Sequence, residues 1–175
     1  AALQELKAAG EIRAIGCGVN IPGQIPDMLA NGDLDFFLVA MPYTLLDQDV
    51  LDDEFPLCER RGVSVVIGSV FASGILATGP RDGASYGYGP APAAVLDKAA
   101  AIQRICEAHG VPLQSAALQF PLFHPLVASI IPGAYRVENV RDNLANLRRP
   151  IPPSLWSDLK DARLLRPDAP TGPTA

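Results

Sequence analysis

The stretch Ala128-Ser129-Ile130-Ile131-Pro132-Gly133-Ala134, continued by Tyr135-Arg136-Val137-Glu138-Asn139-Val140-Arg141-Asp142-Asn143, decides the fold. An apolar, β-branched run stops at Pro132-Gly133, and a polar segment with helical spacing begins a few residues later. That order makes a strand, a tight loop and a helix N-terminus. Such a junction gathers free backbone N–H groups and the positive end of a helix dipole at one point, which suits a phosphate. The chain contains neither GxGxxG nor GxxxxGK, so the junction is of neither the Rossmann nor the P-loop kind.

Outward from this unit the same order recurs. Ala1 to Ala9 reads as an amphipathic helix ended by Gly10, and Ile12 to Gly18 as a buried parallel strand followed by a helix near Ile25 to Ala30. Phe36 to Ala40 is a second strand, stopped by Pro42, with a helix near Gln48 to Arg60 behind it. Val63 to Ile67 is the third. The connection from Gly74 to Pro92 holds five glycines and three prolines without helical or strand period, so it is expected to be a functional lid or a disordered segment. Val95, Ala99, Ile102 and Cys106 share one face of the next helix, which ends at His109-Gly110, and Pro112 starts another through Leu118 and Phe120. Val127 to Ile131 is the fourth strand. Helices over Val137 to Leu147 and around Ser154 to Leu165 complete the domain at about residue 166, with Ser154 as N-cap and a loose tail over 167–175.

Four strand–helix units imply right-handed crossovers and a parallel sheet covered by helices. A (β/α)8 TIM barrel needs eight such units and typically about 250 residues. The expected architecture is therefore α/β, half of such a barrel, and the opening in mid-element points to the C-terminal half.

Composition narrows the partners. A net charge of −5, a pI near 4.9 and scattered Lys and Arg leave no broad basic surface, which argues against nucleic acid and for a small molecule. Cys17, Cys58 and Cys106 lie far apart and outside any Cys/His cluster, as reduced thiols do, and no metal is expected. No apolar run approaches the roughly 20 residues of a membrane helix, and no signal peptide opens the sequence. The expectation is cytoplasmic.

In α/β barrels ligands meet the C-terminal ends of the strands. Four clusters lie there. Gly16-Cys17-Gly18-Val19-Asn20 allows close backbone approach and offers an amide that both donates and accepts, as a nicotinamide carboxamide requires, or else Asn20 is a helix cap. Tyr43, in Ala40 to Gln48, is either an exposed aromatic at the mouth or a core residue. Gly68 to Leu76 is a run of small residues that suits a flat ring or a diphosphate, or a plain loop. The Pro132-Gly133 unit puts Asn139 and Asn143 one turn apart on one helix face, where surface polarity is the alternative.

The four clusters resemble, in order, the motifs of the aldo/keto reductase superfamily. Leu6 to Gly16 is similar to its LKxxGKIRxIG segment, Tyr43-Thr44-Leu45-Leu46-Asp47 to its YxLLD/YNLL turn, and Gly68 to Leu76 to its SPLxxGLL. Ala116 to Gly133 is similar to ALQFPLxHPxVxSxIPG, and the last unit to IPGxRxxxQVxxN. The resemblance runs to about Arg163, and within the superfamily it most resembles the branch of NAD-dependent aldose, fucose and pyridoxal dehydrogenases.

The resemblance implies an NAD-dependent oxidoreductase, NADP being the alternative, that moves a hydride to or from the carbonyl or alcohol carbon of a substrate such as an aldose. It implies Val19 or Asn20 at the carboxamide, with Ala40 in place of the family's glutamine. Gly68 stands where relatives carry an aromatic, Ser69 and Phe71 along the diphosphate, Gly133 and Ala134 at phosphate or ribose, and Asn139 and Asn143 at the adenine. The family's catalytic tyrosine, lysine, aspartate and histidine belong to earlier strands, and no residue here matches them. The chain alone is thus expected to be inactive, and to need a missing N-terminal half or self-association. A non-catalytic dinucleotide-binding or regulatory half-barrel is the rival reading.

Overall fold

A computed structural model describes residues 2–172. Ala1, placed by sequence in the first helix, and Pro173 to Ala175, the end of the expected tail, lie outside the described residues. Helix α1 (Ala2–Ala8) precedes β1 (Gly16–Val19), α2 (Gln24–Asn31), β2 (Phe36–Ala40), α3 (Glu54–Arg61) and β3 (Ser64–Gly68). A short helix α4 (Ile75–Thr78) and a hairpin of β4 (Ser85–Tyr86) and β5 (Gly89–Pro90) follow. Then come α5 (Ala93–Ala108), α6 (Leu113–Gln119), β6 (Val127–Ile131), α7 (Val137–Leu147) and α8 (Pro153–Asp161).

The main sheet has four parallel strands in the order β1-β2-β3-β6. Successive strands pair with their sequence neighbours, and the common crossover hand then puts the connecting helices on one face. That face carries Val19, Phe37, Val39, Val65 and Ile67, each buried. The register aligns Gly18, Leu38, Val66 and Ser129 on the other face, with Ala40, Gly68 and Ile131 one rung on. Leu38 and Val66 are only half-buried there and Ile131 is 55% exposed. The chain exposes 9640 Å² at 18.5 kDa, where a folded monomer of that mass exposes about 8,200 Å². The surplus matches a sheet open on one face and at both edges.

Several boundaries differ from the sequence reading, each for a local reason. The first strand starts at Gly16 rather than Ile12, because the Ile15 N–H donates to the Asp35 carboxylate at 2.7 Å, which Lys7 also grips. The expected loop from Gly74 to Pro92 contains α4 and the hairpin. Ser73 Oγ accepts the Gly87 N–H at 3.2 Å and so pins that hairpin down. The last helix has Pro152, not Ser154, at its N-cap position and no side-chain cap, and the Ser154 hydroxyl lies 3.5 Å from His109 Nδ1. The segment after Pro167 is not loose over its described part. Ala169 is buried, and Arg166 pairs with Asp52 and Asp168 while its N–H reaches Gln48 Oε1.

The turn after β1 is held from two sides. Gln24 Oε1 accepts the N–H groups of Asn20 and Ile21, both at 3.1 Å. Glu54, a buried carboxylate, accepts those of Gly23 at 2.9 Å and Ile25 at 3.3 Å, at the start of α2 where the helix dipole favours negative charge. Glu54→Ala removes an acceptor from two N–H groups and is expected to cost roughly 2–3 kcal/mol. Denaturant unfolding checks it, and a loss within experimental error would deny Glu54 this role.

Beneath the loop after β2, Tyr43 packs its ring on Phe55, Phe120 and His124 at centroid distances of 5.0, 5.2 and 5.6 Å. His124 Nδ1 accepts the Leu126 N–H at 3.2 Å, so the neutral imidazole is the bonded form. Burial lowers its pKa below the usual histidine value, against the nearby Glu59. Between the folded pKa and about 6.5 the unfolded chain therefore binds more protons, and stability falls as pH drops through this range. Asp35 and Asp168, both lowered from 3.8, titrate below this range. His124→Asn is expected to flatten the change in denaturation midpoint between pH 7.5 and 5, and an unchanged slope would contradict this.

Candidate functional site

The C-terminal ends of β3 and β6 open into a cleft of about 720 Å³, within the usual range for a small-molecule site. Its walls come from separate elements. The turn after β3 supplies Ser69, Phe71 and Ser73, α6 supplies Gln114, the Pro-Gly loop supplies Gly133, Ala134 and Tyr135, and α7 supplies Asn139, Asp142, Asn143 and Asn146. The turn is backbone-strained: Ser69, Ala72 and Ser73 have φ of 54°, 47° and 59°, and Gly74 has 97°. Left-handed backbone at non-glycine residues costs roughly 1–2 kcal/mol each and concentrates at functional sites.

At the other wall, α7 begins without a side-chain cap, since Arg136 stands at the N-cap position in extended conformation. Its first-turn N–H groups are left for an acceptor from outside the helix. Asn143 Nδ2 donates to the Gly133 carbonyl at 3.4 Å and steadies the loop. Asn139 lines the cleft, and its Oδ1 is buried without a hydrogen-bond partner. No Lys or Arg lines the cleft among the described residues, whereas Asp142 does.

Ser69, Phe71, Gly133, Ala134, Asn139 and Asn143, singled out by sequence, thus meet in one cleft. The other four do not line it. Asn20 is exposed at the end of β1, while Val19 is 5% exposed in the core, so of these two only Asn20 can face a ligand. Tyr43 is fully buried, and its core alternative holds: burial, with Asp168 second, raises its hydroxyl above the ordinary tyrosine range. Gly68 is buried beside Ala40 and Ile131 on the last rung of the open face, where an added Cβ would stand 3.5 Å from Leu38. Ser73, part of the Gly68 to Leu76 run, lines the cleft as well, whereas Gln114 and Asn146 were missed. Asn146 follows Asn139 and Asn143 at helical spacing, which would have found it. Gln114 comes from a helix that nothing local ties to the cleft.

Several titratable groups elsewhere are tied into the fold. His109 Nε2 lies 2.7 Å from Asp158 Oδ2, joining the end of α5 to α8. Lys98 Nζ donates to the Leu46 carbonyl at 3.0 Å, and burial lowers its pKa. Tyr86, half-buried, is raised by burial and by Asp47 and Asp49, and makes no bond to Lys98. Among the described residues no helix is long and apolar enough to cross a membrane, and no His/Cys/Asp/Glu group could hold a metal ion.

The model of the Aldo/keto reductase family matches residues 1–163. Pyridoxal 4-dehydrogenase of Microbacterium luteolum is 43% identical over 94% of this chain and 48% of its own length. D-threo-aldose 1-dehydrogenase of a Pseudomonas species is 37% identical over 94% of this chain and 50% of its own. The solved structure of aldo-keto reductase AKR11C1 from Bacillus halodurans, in its holo form, superimposes with a TM-score of 0.71 at 27% identity, covering 94% of this chain and 54% of that one. The chain thus spans about half the length of the relatives it matches. Its four parallel strand–helix units are half of the barrel those proteins build, and the chain belongs to the aldo/keto reductase family.

Proposed function

We propose that the cleft holds the adenosine and phosphate end of a nicotinamide dinucleotide, and that this chain is the cofactor-binding, C-terminal half of a cytoplasmic oxidoreductase. Its substrate is a small carbonyl or alcohol compound such as an aldose. The observation that carries this reading is a cleft walled by Asn139, Asn143 and Asn146 of one helix and by that helix's uncapped N-terminus. Phosphate oxygens are the acceptors those N–H groups lack, and amide side chains, which both donate and accept, suit the edge of an adenine. When bound, the nicotinamide supplies the hydride or takes it up, and the protein supplies orientation and electrostatics.

This chain's own part is positioning. The strained turn Ser69 to Gly74 offers backbone and small side chains along the diphosphate path. Asn20, on its doubly held turn, presents an amide at the far end of the sheet, where a carboxamide both donates and accepts. Tyr135, the tyrosine that lines the cleft, has no lysine beside it there, and we assign the proton-donor role to strands outside this chain. The open sheet face and both edges are covered by four further strand–helix units of a longer polypeptide or, in their absence, by a second copy.

We further propose that NAD is preferred over NADP. A 2′-phosphate carries close to two negative charges and is usually held by Arg or Lys. Here Gly133, Ala134 and Asn139 offer none, and the Asp142 carboxylate repels it while accepting from ribose hydroxyls. By calorimetry on the 175-residue chain, AMP is expected to bind at least tenfold more tightly than adenosine 2′,5′-bisphosphate. Equal binding, lost in Arg136→Ala, would overturn the preference and name Arg136 as the reason. The same chain is expected to self-associate in sedimentation and to show no NAD(P)H turnover. A monodisperse, cooperatively melting monomer would contradict the first expectation, and turnover abolished by replacing one of its own tyrosines the second.

A further inference from the structure

The lip of the cleft carries an aromatic ring that packing within the fold does not explain. Tyr135 is 86% exposed although it lines the cleft, and it stands four residues before Asn139 in the chain. The guanidinium of Arg136 lies over its ring, 5.6 Å from the centroid. One ring face is thus covered by a cation, and the high exposure leaves the other to solvent. Holding a large ring in water beside a cleft gains nothing from burial. It does offer a flat π surface to a flat ligand, polarised by the guanidinium behind it.

We propose that Tyr135 is a stacking platform for the adenine ring, so that the base is gripped by its face at Tyr135 beside the asparagine-lined wall of the cleft. This inference rests on the reading of the cleft as a dinucleotide site and adds to it the group that holds the base. Two features suit adenine. The wall is lined by the amides of Asn139, Asn143 and Asn146, which can pair with an edge that both donates and accepts, and the group at the lip is a π face, which calls for a planar ring. The uncapped start of α7 lies between them in sequence and is left for the phosphates.

The experiment compares AMP with inorganic pyrophosphate, which has no base, by calorimetry on the chain and two variants. Tyr135→Phe keeps the π face and is expected to bind AMP within about twofold of the parent. Tyr135→Leu keeps apolar bulk without the π face and is expected to weaken AMP about tenfold, within the range of base–aromatic stacking, while leaving pyrophosphate binding unchanged. Melting temperatures should agree, because the side chain is 86% exposed. If Tyr135→Leu binds AMP as the parent does, or loses AMP and pyrophosphate alike, the stacking role is wrong. If the parent binds neither ligand, the reading of the cleft as a cofactor site is what fails.

Discussion

Parallel pairing of the four strands in strict chain order is the constraint on which the rest depends. A parallel pair cannot be closed by a tight turn, so each strand must be followed by a crossover that returns the chain to the same end of the sheet. With one hand throughout and each strand beside its sequence neighbour, the crossovers fall on one face and the strand C-termini at one end. The buried face of Phe37, Val39, Val65 and Ile67 and the bare face of Leu38 and Val66 are two results of that one rule. The cleft is a third, because the turns after β3 and β6 meet only where these strands end together.

Buried polar side chains then fix the loops that the sheet gathers. Gln48 donates to the Thr44 carbonyl at 2.6 Å and accepts the Arg166 N–H at 3.3 Å, tying the end of the domain to the loop after β2. Across the cleft, Ser115 donates to Asn146 Oδ1 at 2.7 Å, and Gln119 Nε2 reaches the carbonyls of Asn146 and Arg149. These ties hold α7 to α6. Asn146 therefore lines the cleft and anchors the helix that forms its wall, which is preorganisation by a shared side chain.

The strands were legible because a parallel strand buried on one or both faces writes itself as a short apolar run bounded by glycine or proline, as Phe36 to Ala40 and Val63 to Ile67 do. The Pro-Gly junction gave the cleft wall for the same local reason. What was not legible depends on partners distant in sequence. Val19 and Asn20 are adjacent, and only the strand's orientation in the sheet decides which one is buried. Tyr43 sits in a motif at a strand end, yet Phe55, Phe120 and His124 draw its ring into the core. The hairpin in Gly74 to Pro92 escaped because its two-residue strands have no period to read, and its anchor is Ser73 across the loop. Proline outbid serine at the start of α8, where Ser154 turned instead to His109.

Among the described residues two buried side-chain oxygens lack a partner, the Tyr43 hydroxyl and Asn139 Oδ1. An unpaired buried polar group costs on the order of 1–3 kcal/mol, so each asks for an explanation. Tyr43 is sealed among aromatic rings, and the ring's packing offsets the idle hydroxyl in place. Asn139 has no such compensation, for it is only half-buried on a helix without a buried residue. The residue lines the cleft where Ser69 and Ser73 are also held at positive φ and the start of α7 lacks a side-chain cap. Strain, an idle acceptor and idle donors each cost stability separately, and here all three lie at the wall of one cleft.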